Sequence, residues 1–75
     1  MKDEIVAIAA KSIKVPVEEA KEHCREIPEL NAYYFWNPVR GGIAVIVNEN
    51  GEKLSAASSV SYERHKAAFE AGRRN

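Results

Sequence analysis

The 75-residue sequence has one cysteine, one aspartate and no net charge at neutral pH. A lone Cys24 cannot close an internal disulfide, so the fold must hold without a covalent staple and suits a reducing, cytoplasmic setting. With Asp3 as the only aspartate and no nucleophile elbow, a serine triad built around His65 has no foundation. The chain is not expected to be an enzyme, and a His65-dependent hydrolase or transferase is a distant third reading.

Long apolar runs are also missing. The first, Ile5 to Ala10, stops at Lys11 and is too short for the core of a signal peptide. The longest uncharged stretch, Leu30 to Val39, has ten residues and includes Asn31, Asn37 and Pro38, against the roughly 20 apolar residues that cross a bilayer. The expectation is a chain neither exported nor embedded in a membrane. No cofactor motif is visible: Arg40-Gly41-Gly42 lacks the wide glycine spacing and following lysine of a phosphate loop. His23 with Glu19 and Glu26 reads as a solvated helix face and not as a metal site. Internal repeats and low-complexity linkers are absent.

What is there is an ordinary globular composition, 45% hydrophobic and 29% charged, in a chain with room for a single domain over residues 1–75. Such a chain buries about 60% of its unfolded surface, so little is left for a deep pocket. Ile5, Ile8, Ala9 and Ser12 or Ile13 recur at helical spacing and predict a first helix over Lys2 to Ile13. Pro16 starts a second helix, with Val17, Ala20, Cys24 and Ile27 on its apolar side and Pro28 ending it.

From there the chain turns to β-formers. Tyr33 to Trp36 reads as one strand and Ile43 to Val47 as another, apolar on both faces. Asn50-Gly51 is a strong two-residue hairpin signal. It predicts a register that pairs Val47 with Leu54, Val45 with Ala56 and Ile43 with Ser58, gathering Ile43, Val45, Val47, Leu54 and Ala56 on one core face. Ser58, Ser59 and Ser61 are cap-type residues before a third helix that turns Tyr62, His65 and Phe69 to one side and stops at Gly72. The predicted class is α+β in the order ααβββα, a three-stranded antiparallel meander with helices packed mainly on one face.

Two surfaces stand out. The predicted register brings Arg40, Gly41 and Gly42 beside Ser59 and Ser61 at the start of the third helix. There glycine backbone, helix N–H groups, the Arg40 guanidinium and Arg64 would suit an anion. The simpler reading is a helix cap beside a turn. The aromatic run sends Tyr34 and Trp36 to one side of its strand and Tyr33 and Phe35 to the other. If the helices cover one face only, the remaining pair forms an open patch near Ala44, Ile46 and Ala57, fit for a protein hot spot or for base stacking; the simpler reading is that a helix covers that face too.

The two N-terminal helices do not suit DNA, because residues 1–31 carry five basic against seven acidic side chains, and phosphates would be repelled. Residues 32–75 carry six basic and four acidic, which leaves room for a weak RNA contact. The expected function is therefore that of a small intracellular, non-enzymatic binding or regulatory module without a cofactor. It would dock a larger protein through Trp36 or Tyr34, the Asn37 to Gly42 loop and the start of the third helix, with Arg40 adding a charged hydrogen bond. The alternative is recognition of phosphate or single-stranded RNA by Arg40, Gly41, Gly42, Ser59, Ser61 and Arg64.

Overall fold

Apolar residues at three- and four-residue steps bury one side of the first helix, α1 (Asp3–Ile13), where Ile5, Val6, Ala9, Ala10 and Ile13 are inside. The structure, a computed structural model, describes residues 2–39 and 42–75. Lys14 takes the left-handed conformation, with φ 62°, and the Val15 N–H returns to the Ala10 carbonyl at 3.1 Å, which closes α1 ahead of Pro16.

The second helix, α2 (Val17–Glu22), ends five residues earlier than the apolar spacing suggests, and Cys24–Ile27 is instead a strand, β1. Pro28 disfavours helical angles at Ile27. Antiparallel pairing with β2 (Ala32–Trp36) gives the segment a hydrogen-bonded ladder and buries Ile27 almost completely. A 3-10 turn, Pro28–Leu30, and a left-handed Asn31 (φ 49°) join the two strands. The expected stripe is thereby split: Ala20 and Cys24 pack with α1, while Ile27 joins a second cluster.

The chain continues through β3 (Ile43–Asn48), β4 (Lys53–Ala57) and α3 (Tyr62–Glu70). All four strands are antiparallel neighbours in the order β1-β2-β3-β4. The fold is α+β and a meander as expected, but among the described residues the sheet has four strands, the order is ααββββα, and helices cover both faces. On one side α1 and α2 pack on Phe35, Val45 and Val47. On the other, α3 lays Phe69 on Ile27, Ala32 and Ile46, with Tyr34, Leu54 and Tyr62 around them.

The hairpin connection explains why α3 takes the opposite face. Val47 pairs with Lys53, Ile46 with Leu54 and Ile43 with Ala57, one residue out of the predicted register. The connection has three residues, Glu49 to Gly51, because Asn48 captures the chain on the way round. Its Oδ1 accepts the N–H of Asn50 at 3.0 Å and of Glu52 at 2.9 Å, and its Nδ2 donates to Glu52 Oε1 at 2.8 Å. The backbone N–H of Asn48 also bonds the Glu52 carbonyl, and Gly51 supplies the positive φ of 83° that closes the turn. A one-residue slip exchanges the faces of a strand. Leu54 and Ala56 therefore lie with Ala44 and Ile46 beneath α3, and not with Val45 and Val47.

Candidate functional site

Strand alternation places Tyr34 and Trp36 on the α3 side of the sheet, both half-buried, while Phe35 fills the α1 core. The β1 strand adds what a helix there would have turned away. His23 stands 5.7 Å from Trp36 between ring centroids, Trp36 stacks on Tyr34 at 5.8 Å, and Tyr62 meets Tyr34 edge-on at 5.0 Å. Arg25, paired with Tyr34 in the ladder, holds its guanidinium 4.2 Å over the Tyr62 ring. The result is a row of four rings crossed by an exposed cation, assembled from α2's end, β1, β2 and α3. Burial, with Tyr62 beside it, pushes the Tyr34 phenol above its ordinary range, so it is neutral at physiological pH.

The proposed anion cradle comes together only in part. Gly42 lies beside the turn that leads from β4 to α3, since its carbonyl accepts the Ser58 N–H at 3.0 Å. Ser61 caps α3 and accepts the Arg64 N–H at 3.2 Å, so its hydroxyl oxygen is engaged by the helix, as the simpler reading has it. Ser59 is exposed in the turn before it. Asn37 is a strut: its Nδ2 donates to the Ile13 carbonyl at 2.7 Å, and its Oδ1 accepts the Val39 N–H. Gly42 sits so close to Asn37 that a Cβ would fall 2.8 Å from Asn37 Cβ and from the Val39 carbonyl. Arg40 and Gly41 lie outside the described residues.

Arg64 projects elsewhere. With Arg73 it flanks an open groove of about 450 Å³ between β4 and α3, whose walls include Leu54, Ala56, Val60 and Ala68. His65 also borders this groove but is 1% exposed, with Nε2 2.6 Å from the Leu54 carbonyl and Nδ1 without a partner. Burial holds its pKa below the ordinary value. The imidazole is packed inside, with neither nitrogen presented to solvent.

Cys24 is half-buried, and burial, reinforced by Glu26, pushes its thiol above the usual range. Glu26 has moved from a helix to a strand and no longer shares a face with Glu19 and His23. Among the described residues no group of three His, Cys, Asp or Glu is placed to hold a metal ion. Nor is any helix among them long and apolar enough to cross a membrane.

His23, Arg25 and Tyr62 were not anticipated as partners of Tyr34 and Trp36. The available signal was the sequence Cys-Arg-Glu-Ile against Pro28, which reads equally as the end of a helix or as a short strand. Compared with known proteins, the chain matches no family model, no curated protein and no solved structure.

Proposed function

We propose that this chain is a small non-enzymatic binding module of the cytoplasm that docks a segment of another protein on the row formed by His23, Trp36, Tyr34 and Tyr62. The observation that carries this reading is the row itself. Aromatic rings and arginine are the side chains that dominate binding energy at protein contacts, and here they share one surface. Arg25 sets the partner's chemistry, because an exposed guanidinium on an aromatic face favours a carboxylate-bearing segment. The sequestered imidazole of His65 gives no support to acid–base chemistry. The anion reading is weaker, since the Ser61 oxygen is occupied by the cap.

Affinity capture from the native host tests the reading, with wild type, Trp36→Ala, Arg25→Ala and Val17→Ala compared after each is shown to melt normally. Loss of an aromatic anchor costs about 2 kcal/mol or more, roughly thirty-fold in affinity. The expected result is a defined protein lost with Trp36→Ala and Arg25→Ala and kept with Val17→Ala, which alters an exposed apolar residue outside the row. A capture profile indifferent to Trp36 and Arg25 overturns the proposal.

A further inference from the structure

The two edges of the sheet are in different states. The hydrogen bonds from the Asn48 N–H to the Glu52 carbonyl and from the Ser58 N–H to the Gly42 carbonyl set the parity of the β3–β4 ladder, so Leu54 and Ala56 bond to β3 while Lys53 and Ser55 direct their backbone groups outward. Three of those four outward groups are taken. The Asn75 N–H donates to the Lys53 carbonyl at 3.0 Å, Asn75 Oδ1 accepts the Ser55 N–H at 3.0 Å, and Asn75 Nδ2 donates to the Ser55 carbonyl at 3.3 Å. Arg74 anchors this tail, stacked 3.6 Å over Phe69 and bonded to the Phe69 carbonyl.

The β1 edge has no such cover. The Trp36 N–H bonds the His23 carbonyl, so Arg25 and Ile27 face β2 while Cys24 and Glu26 direct N–H and C=O away from the sheet. Among the described residues no strand pairs with that side. These groups, two residues apart, match the spacing at which an extended backbone exchanges hydrogen bonds. Directly beside them lie Arg25 on the aromatic side and Glu26 on the other.

A second copy of the chain is a poor occupant. Antiparallel self-pairing that joins Cys24 to Glu26 of a twin sets Arg25 against the twin's Arg25. A shift in one direction sets Glu26 against Glu26, and in the other it leaves only Cys24 opposite a strand residue, because the chain beyond it turns into α2. Like charges directly opposite are destabilising. The edge is therefore suited to a different sequence, one with an acidic side chain opposite Arg25.

We propose that an extended, acidic segment of a partner protein adds to this sheet as a fifth strand along Cys24–Ile27, its carboxylate meeting Arg25 beside the aromatic row. This rests on the docking reading above and specifies its geometry. The backbone of the added strand supplies general affinity, and the side chains falling beside Arg25 and Trp36 supply selectivity.

The test uses a displayed library of random twelve-residue peptides selected against the full chain, followed by binding of the enriched peptides to a chemically synthesised protein N-methylated at Glu26. Methylation removes one outward donor and leaves every β1–β2 hydrogen bond in place. Glu26→Pro is the genetic equivalent, tolerated at an edge whose N–H is not used. The expected result is enrichment of extended sequences with Asp or Glu at one fixed position, at least tenfold weaker binding to either altered protein at unchanged melting temperature, and slowed amide exchange at Cys24 and Glu26 in the complex. Selection against Arg25→Glu should replace the acidic residue by Lys or Arg. Peptides that bind the N-methylated protein equally well but are lost with Trp36→Ala overturn strand addition and leave docking on the row intact. Failure to enrich any peptide, or binding indifferent to both changes, overturns strand addition and the docking reading together.

Discussion

Acidification between pH 6.5 and 5.5 should weaken the fold through one side chain, His65. The ring is sealed between α3 and the sheet, with Tyr34 edge-on at 5.7 Å, and the charged groups at the neighbouring groove, Arg64 and Arg73, are both positive. Nε2 keeps its proton for the Leu54 carbonyl, so a second proton must enter at the unpartnered Nδ1, where no acceptor waits. Desolvation lowers the folded pKa below 6.5, and the Leu54 hydrogen bond offsets this only in part.

The sign follows from which state binds the proton. Above about pH 6.5 the histidine is neutral both folded and unfolded, and its titration contributes nothing. Below that, the unfolded chain takes up a proton that the folded chain refuses, so stability falls by up to about 1.4 kcal/mol per pH unit until the folded ring titrates. For a domain of this size such a loss lowers the melting temperature by roughly 6–11 °C per pH unit. Thermal melts by circular dichroism at pH 7.5, 6.5 and 5.5 and constant ionic strength measure it. His65→Gln is the control, because its amide can still donate to Leu54 and does not titrate. His23 is present in both proteins and cancels. Equal pH dependence in wild type and His65→Gln would refute the reasoning.

Two further outcomes are expected. Asn48→Ala removes the three side-chain hydrogen bonds that set the hairpin connection and should cost about 2–3 kcal/mol in urea unfolding; a loss under 0.5 kcal/mol, on the order of a single exposed bond, would mean that the turn alone sets the register. Gly42→Ala places a methyl within 2.8 Å of Asn37 and the Val39 carbonyl, so the connection must shift at a cost of roughly 1–3 kcal/mol, read as a lower denaturation midpoint with unchanged slope.

The elements that were legible beforehand carry their own periodicity. In α1 Ile5, Ala9 and Ile13 of the expected stripe are buried, joined by Val6 and Ala10, and in α3 a serine cap, a Tyr62/His65/Phe69 face and Gly72 (φ 97°) bracket the helix as expected. The β1 strand was not legible because Cys24 and Ile27, three residues apart, satisfy a helical stripe as well as a strand. Only the ladder partner, which the local sequence does not contain, decides between them. The register departs from the expectation because a two-residue turn is the usual meaning of Asn-Gly, whereas Asn48 here fixes a three-residue connection with its own side chain. The apolar character of both faces of Ile43 to Val47 was a signal that helices cover the sheet on both sides, since a strand with one wet face alternates. For the site, Tyr34 and Trp36 followed from alternation alone, whereas His23 and Arg25 depended on the strand that was missed.

Because the sheet stands between its two helical layers, the layers hold it unequally. Among the described residues, nine buried apolar side chains knit α1 and α2 to one face, whereas the apolar cluster on the α3 side has four, with His65 buried beside it. Fluctuations should therefore be one-sided, with the C-terminal helix lifting as a unit while the N-terminal half stays closed. Since Tyr62 travels with that helix, each such excursion would take away one end of the ring array, so the proposed docking row would be complete only while that helix is closed.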